Sequence, residues 1–451
     1  MLCSKETLLS ANDGKYNAFA GLVFTRRKRL IACWRTSAAH GLTVPAHIVG
    51  AYSDNMGVSW VNKTFVVNDA IDARDPHLSQ IQNGSILLSY MVSGVAPKIM
   101  ISTDNGDTFT DLYNFATDAN YGSGNYHGYG RIIEDNGGTL YFGMYSISGT
   151  YAALVIATSH DNGVTWDAPV SVLDETGASK NNTEMALCFL GNLQSMENIR
   201  YTYSQDYLGT FLAIVRPNAG DSYFVQSIDK GATWTKKVTA TGFSAQGADM
   251  LYSEGKLVCA YRQSGCNPTI RVSDDFGYTW SDQITLSNAR GGYCQLADIG
   301  NGIYGVIYYT DYGLEADADL LNKVADVYFR FIKISDVQQN VARSFKFNRD
   351  YSFAAGAYKA NAFVIKTDKY SKIRICVKTD AVHAKSVIIK WSLDGVTSLF
   401  DQTISDTSSG DNANAYQVVD VVPEYPYILS IGAYNQAAET HVMSLDVHCI
   451  P

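Results

Sequence analysis

Short apolar runs and alternating runs recur along the chain, bounded by glycine and polar residues. Gly84-Ser85-Ile86-Leu87-Leu88-Ser89-Tyr90 and Gly255-Lys256-Leu257-Val258-Cys259-Ala260-Tyr261 are two examples. Such runs read as β-strands. Among them one turn pattern occurs five times, starting at Ser53, Ser102, Ser159, Ser227 and Ser273. Its template is S-x-D-x-G-x-T-W, with Asn55 in place of the Asp in the first copy and Phe109 in place of the Trp in the second. The acidic or amide side chain can accept bonds from backbone N–H groups further round the turn, and the glycine permits positive φ. The closing aromatic can pack back onto the strands. These aspartates therefore read as turn residues and not as catalytic ones.

Successive copies start 49, 57, 68 and 46 residues apart. A period of about 50 residues holds four short strands and their loops, which is one blade of a β-propeller. The blades fall at 16–70, 71–120, 121–178, 179–242, 243–288 and 289–338. The sixth lacks the turn and takes its strands from 293–296, 305–309 and 327–334. No blade can bury both faces alone, so the units must stack. Beyond about residue 340 the turn disappears while strand-like runs continue at 362–366, 373–377, 387–391 and 427–431. The predicted fold is all-β: a six-bladed β-propeller over 1–340, then a small C-terminal β-sandwich domain over 341–451.

Composition agrees with a folded β protein: 18% of residues are charged, 46% are hydrophobic and 30 are tyrosines, which suit half-buried strands. A net charge of −9 with no dense Lys/Arg stripe argues against a nucleic-acid partner. The one basic cluster, Arg26-Arg27-Lys28-Arg29, reads as a solvated hairpin turn. No apolar run is long enough to insert into a membrane as a helix. The first residues lack a signal peptide's apolar core, so the expected location is cytoplasmic, or outside the cell by a virion or another non-classical route. The eight cysteines show no C-x-x-C and the eight histidines are dispersed, so no disulfide framework, metal site or cofactor is expected.

The innermost strand of each propeller blade starts at one end of the central channel, and the second strand returns to that end. Residues at those positions ring the channel mouth, where ligands bind. First-strand starts give Asn17, Arg74-Asp75-Pro76-His77, His127 with Arg131, Glu184, Asp249 and Tyr293. Second-strand ends give Arg35 to His40, Tyr90, Tyr145, Arg216, Arg262, and Tyr308 to Asp311. Several guanidinium groups around one mouth suit a carboxylate, sulfate or phosphate, so the expected ligand is acidic. The bland alternatives are inter-blade ion pairs for single arginines, a simple pairing for Glu184 and structural roles for His77 and His127.

The turn motif resembles the Asp-box, or BNR repeat, of the sialidase-like propellers, over roughly residues 15–340. Asn182-Thr183-Glu184-Met185-Ala186-Leu187 resembles the segment that carries that family's glutamate. Leu212-Ala213-Ile214-Val215-Arg216 and Val258-Cys259-Ala260-Tyr261-Arg262 resemble those carrying two of its arginines. Gly291-Gly292-Tyr293-Cys294 resembles the one carrying its nucleophilic tyrosine. Two features depart from the family. Asn17-Ala18-Phe19 stands where an R-I-P motif carries the first arginine, and after the first blade's second strand only His40 stands where an acidic aspartate belongs. The second blade carries Arg74-Asp75-Pro76, so Arg74 or Arg35 offers the missing arginine and Asp75 or His40 the missing acid.

The resemblance implies a retaining glycoside hydrolase of an acidic glycan, one containing sialic acid or uronate. Tyr293 is its expected nucleophile, Glu184 the activator and Asp75 the acid. Arg35, Arg74, Arg131, Arg216, Arg262 and His127 are the expected substrate-binding residues. One alternative is a polysaccharide lyase using His127 with Tyr126 or Tyr293. Another is a phage-tail or adhesin-type module that binds or depolymerises glycan, for which a homo-oligomer is the expected state.

Overall fold

The computed structural model describes residues 2–334 apart from 11–12, 41–44, 68–71, 93–95, 122–125, 147–152, 173–181, 191–210, 218–219, 228, 239–240, 264–266, 274–276, 278–279, 288–290 and 313–323. Beyond residue 342 it describes the backbone of eight strands.

Two short strands, β1 (Leu2–Cys3) and β2 (Thr7–Leu8), open the chain. An antiparallel meander follows: β3 (Tyr16–Phe24), β4 (Leu30–Ser37), β5 (Ala46–Ser53) and β6 (Val61–Val67). The plan repeats in β7 (Ala73–Gln80), β8 (Ile86–Val92), β9 (Ala96–Ser102) and β10 (Thr110–Asn114). In the next sheet β11 (Tyr126–Gly128) and β12 (Ile133–Glu134) share the inner place, followed by β13 (Leu140–Ser146), β14 (Ala153–Ser159) and β15 (Val170–Ser171). Two more sheets hold β16 (Asn182–Phe189), β17 (Phe211–Pro217), β18 (Tyr223–Ser227) and β19 (Thr235–Val238), then β20 (Ala245–Ser253), β21 (Lys256–Gln263), β22 (Pro268–Ser273) and β23 (Ile284–Thr285). The series ends with β24 (Gly291–Gly300), β25 (Ile303–Tyr312) and β26 (Val324–Lys333).

Four of these sheets are discrete where the sequence predicts six separate blades. The first and last units count as one nine-stranded sheet, because Ala325 on β26 bridges Tyr16 on β3 in parallel. The last unit also borrows its outer strand from the other end of the chain. β1 and β2 both pair antiparallel with β26, and Ser4 N to Phe331 O and Leu9 N to Val327 O extend the pairing, each at 2.8 Å. The Ser10 hydroxyl donates to Asp326 beside this seam.

Apolar clusters lie between consecutive units and hold the ring together. Ile31, Cys33 and Ile48 pack on Leu78, Ile86 and Leu88, and further clusters link each following pair. The last returns to the first: Leu22 and Trp34 pack with Ala297, Ile307, Val327 and Phe329. This closed series of inward faces is a β-propeller arrangement, so each unit buries a surface that it could not bury alone.

The repeated turns work as local staples. In the second copy Ser102 Oγ donates to Asp104 Oδ1 at 2.8 Å, Gly106 N donates to Ser102 Oγ at 2.8 Å, and Thr108 N and Oγ1 donate to the Asp104 carboxylate at 2.9 and 2.6 Å. The copies at Ser159 and Ser227 repeat these bonds, and there Trp166 and Trp234 donate indole N–H to the turn carbonyls of Gly163 and Gly231 at 3.1 Å. Of the fifth copy Asp275 and Thr279 lie outside the described residues. The glycines sit at φ near +80°, from 74° at Gly57 to 90° at Gly163, where only glycine is unstrained. The closing aromatics reach the preceding unit: Trp60 meets Phe329, Trp166 meets Phe115 and Trp280 stacks on Phe224.

The strands beyond residue 342 form a second compact unit. They are β27 (Arg343–Phe353), β28 (Tyr358–Lys366), β29 (Lys372–Thr379), β30 (Lys385–Ser392), β31 (Phe400–Ser405), β32 (Tyr416–Val421), β33 (Tyr427–Asn435) and β34 (His441–Ile450). They make two antiparallel sheets, ordered β27-β34-β29-β32 and β28-β33-β30-β31.

Candidate active site

The site begins with a backbone irregularity shared by the inner strands. Near its start each inner strand carries extra residues that its partner does not match. They are Phe19-Ala20 on β3, Asp75-Pro76 on β7, Glu184 on β16, Gly247-Ala248 on β20 and Gly292-Tyr293 on β24. In the third unit the break between β11 and β12 occupies the same place, at Tyr129 to Ile132. A bulge re-aims side chains out of the sheet's alternation. Here the bulges release Asp75, Glu184 and Tyr293, the three residues expected to be catalytic.

Tyr293, partly buried, is held by several neighbours. Its hydroxyl donates to Glu184 Oε1, and Arg216 donates to both groups, from its NH1 to Glu184 Oε1 at 2.7 Å and to Tyr293 Oη at 3.1 Å. The other Glu184 oxygen accepts from Gly247 N at 2.8 Å. Phe19 and Tyr129 close on the ring with centroids 5.4 and 5.8 Å away, and the Arg262 guanidinium lies over it at 5.0 Å. Gly247 has φ +56°, and a Cβ there would fall 1.9 Å from a Tyr293 ring carbon. Only glycine lets the ring in. Burial and the Glu184 carboxylate hold the Tyr293 phenol well above its ordinary pKa, against the pull of Arg262 and Arg216. The resting dyad is a neutral tyrosine bonded to a glutamate.

The arginines divide by their partners. Arg35 is fully buried; its Nε donates to Asp72 Oδ1 at 2.7 Å and its NH1 to Ala39 O at 3.1 Å. Arg74 donates Nε to Asp72 Oδ2 at 2.7 Å and NH2 to His40 O at 3.1 Å. One carboxylate thus serves two guanidinium groups, and Arg74 also lies 5.4 Å over the Phe19 ring. Arg262 bonds the neutral amide oxygen of Gln246 at 3.0 and 2.7 Å, and among the described residues no carboxylate pairs with it. Arg131 is drawn elsewhere. It grips the Asp249 carboxylate with Nε at 2.9 Å and Leu296 O with NH2 at 2.6 Å, so it ties three inner strands together. Asp249 in turn accepts from Leu296 N at 2.7 Å. Gln295 extends this polar plug, accepting from Leu22 N at 2.5 Å and donating to Leu78 O at 3.2 Å.

Asp75 adopts φ +49°, a strained value for a side chain with a Cβ. His77 Nδ1 lies 2.9 Å from the Asp75 carbonyl oxygen. Gly21 lets the Pro76 carbonyl approach, since a Cβ there would lie 2.6 Å from that oxygen. Burial, ahead of the opposing Arg74 charge and with Glu184 adding to it, raises the Asp75 carboxyl to about 7. Its Oδ1 is buried with no hydrogen-bond partner. A carboxyl that holds a proton near neutrality and keeps an oxygen uncommitted is suited to general acid work.

The three histidines of the site stay neutral. Burial lowers His40, His77 and His127 to about 4 each, and nearby guanidinium charges add to the effect. His127 pairs across the strands with Tyr145, whose ring lies 5.2 Å away. Of its two expected partners, Tyr126 packs on Tyr121 at 5.9 Å and Tyr293 is bonded to Glu184. Reading the sequence missed Asp72, Gln246, Gly247, Phe19 and Tyr129 as parts of the site. Gly247, directly after Gln246 in an otherwise well-populated strand, is one signal that a close approach was required.

No protein-family model matches the chain. Solved structures do. A leech intramolecular trans-sialidase complexed with 2,7-anhydro-Neu5Ac is 13% identical at a TM-score of 0.55, over 74% of this chain and 70% of that one. A Penicillium chrysogenum α-L-arabinanase complexed with arabinobiose is 14% identical at 0.53, over 75% and 100%. A Trypanosoma rangeli sialidase in complex with the inhibitor DANA is 11% identical at 0.52, over 99% and 97%. At such identities the likeness is one of fold. The chain has the sialidase-like β-propeller fold, a scaffold on which these neighbours carry glycosidase sites.

Proposed function

We propose that this protein is a retaining glycoside hydrolase of acidic glycans, working at the mouth of a six-bladed propeller. The blade count treats β3–β6 as one blade and β24–β26 with β1 and β2 as another, beside the four discrete sheets. The second unit is read as a β-sandwich accessory domain beginning near residue 341. The observation that carries the activity is the hydrogen-bonded cluster of Tyr293, Glu184 and Arg216, assembled from three strands.

Each group has a task that its geometry suits. Tyr293 Oη attacks the anomeric carbon while its proton passes to Glu184 Oε1. A neutral nucleophile is not repelled by a carboxylate on the sugar. Arg216, already bonded to the phenol oxygen, steadies the charge that develops there, and Arg262 over the ring face acts in the same direction. Protonated Asp75 gives its proton to the departing glycosidic oxygen. A water then attacks the tyrosyl glycoside, its proton goes to Asp75, and Glu184 returns its proton to the phenol oxygen. Arg262, whose partner is only an amide, and Arg74, which shares Asp72, are the guanidinium groups best placed to take the substrate carboxylate.

A second reading is β-elimination on a uronate. It is favoured by the His127–Tyr145 pair, in which an imidazole lowered to about 4 is a neutral base beside a phenol. Incubation with sialosides and uronate polysaccharides, with products read by mass, separates the readings. Hydrolysis adds the mass of water across the products. Elimination adds none and creates an ultraviolet-absorbing double bond. Binding without any product marks a glycan-binding module of the phage-tail or adhesin kind.

A further inference from the structure

Tyr129 is the residue that the third unit contributes at the level of the bulges. Its ring is 2% exposed and packs edge-on against Tyr293, 5.8 Å away, and His77, 4.9 Å away. Phenylalanine would make the same ring contacts. The hydroxyl is what tyrosine adds, and that hydroxyl is buried without a hydrogen-bond partner. Burial holds it well above its ordinary pKa, with the Glu184, Tyr293 and Asp75 charges adding to the effect, so it is a neutral donor. A buried donor left unpaired is unfavourable to the folded state unless something else meets it.

Asp75 Oδ1 is the second buried orphan in this site. The two belong to neighbouring bulges, and His77 joins them: it contacts the Asp75 carbonyl oxygen at 2.9 Å and the Tyr129 ring edge. Of the remaining buried orphans among the described residues, Trp60 Nε1 and Trp280 Nε1 belong to the repeated turns, Asp326 Oδ2 and Arg330 Nε lie on β26, and Gln263 Oε1 ends β21. We infer that the Tyr129 hydroxyl and Asp75 Oδ1 form a hydrogen-bonding subsite for a ligand hydroxyl. Tyr129 donates a hydrogen bond to that oxygen, whose own O–H donates one to Asp75 Oδ1, while the acid proton of Asp75 sits on its other carboxyl oxygen. This deepens the glycan reading and rests on it, because a sugar supplies hydroxyl groups that accept and donate at once. A trapped water offers the same chemistry, and the test separates the two.

The test compares the full-length wild type with Tyr129→Phe. In the empty protein the variant removes an unpaired donor, so its melting temperature rises, by about 2 °C or more. The second arm measures binding by saturation-transfer NMR with N-acetylneuraminic acid, glucuronic acid and galacturonic acid as probes. The sugar that binds wild type loses about tenfold or more in affinity for Tyr129→Phe, while Tyr129→Trp, which also keeps a donor, retains more. A melting temperature that stays level or falls overturns the inference, since the hydroxyl is then satisfied by water or protein. Unchanged affinity for a sugar that wild type binds also overturns it. If no probe binds wild type, the acidic-glycan reading fails, and the melting arm alone decides the subsite.

Discussion

Gly247 and Tyr293 occupy one space: a Cβ at position 247 would lie 1.9 Å from a ring carbon of the tyrosine. The same glycine gives its N–H to Glu184 at 2.8 Å. It therefore fixes the acceptor and clears room for the donor of one hydrogen bond. Gly247→Ala drives the ring off Glu184 and strains a residue at φ +56°. The expected cost is about 1–3 kcal/mol of stability, with a loss of turnover larger than that cost explains. Thermal melts beside single-turnover rates check this; a stable, fully active variant would show that the Tyr293 position has no bearing on catalysis.

With Asp75 as the proposed general acid, its carboxyl, raised to about 7, is expected to set the alkaline limb of activity. A general acid must be protonated, so turnover falls as pH rises through about 7. Asp75→Asn loses cleavage of ordinary glycosides but keeps it for aryl glycosides whose leaving group needs no proton. Stability follows the same sign. The folded state prefers the protonated carboxyl, so its contribution is complete below the model-peptide value of 3.8 and is lost as pH rises through about 7. Asp75→Asn is accordingly more stable than wild type at pH values above that, by denaturant titration.

The turn aspartates behave in the opposite way. Burial alone would raise Asp104, but its bonds from Thr108 and Ser102 win and hold it at about 2. Asp161 and Asp229 are lowered by equivalent bonds that outweigh burial. Their contribution to stability is present above the ordinary aspartate value near 3.8 and is lost as pH falls toward 2. Asp104→Ala costs about 1–2 kcal/mol and leaves KM and kcat unchanged, measured at neutral pH. A change in KM would contradict the assignment of these residues to turns.

Arg131 and Asp249 carry opposite charges almost out of water, with side chains 11% and 2% exposed. Arg131→Met strands a buried carboxylate and costs about 3–5 kcal/mol, while the double variant with Asp249→Leu costs less. Chemical denaturation of the two variants reads the difference. Substrate affinity of whatever folded Arg131→Met remains is expected to equal that of wild type. A selective rise in KM would return Arg131 to the substrate site.

Much of this architecture was legible in the chain. The turn pattern is local, spanning eight positions from Ser to Trp, so its repeats and the strands between them stand out. Glu184, Arg216, Arg262 and Tyr293 could be singled out because each sits at a strand end marked by its own neighbours. What was not legible is non-local. β1 and β2 hold two residues each, too few to show a period, and Ser10 meets Asp326 across 316 residues. The Arg131–Asp249 grip spans 118 residues and nothing beside either residue announces it. The bulges were invisible for a related reason. An unmatched pair such as Asp75-Pro76 is defined only by the partner strand's register, which a single strand does not carry. The shared nine-stranded sheet likewise rests on one bridge, Ala325 to Tyr16.

The central claim is that Tyr293, bonded to Glu184, attacks the sugar. Its most direct measurement is single-turnover cleavage by wild type and Tyr293→Phe of the acidic glycan that wild type cleaves, with melting curves alongside. The ring contacts to Phe19 and Tyr129 survive in phenylalanine, so the variant should fold and bind. Loss of cleavage on the order of a thousandfold or more, with binding and melting temperature preserved, is the predicted result. Cleavage by Tyr293→Phe at the wild-type rate would contradict it.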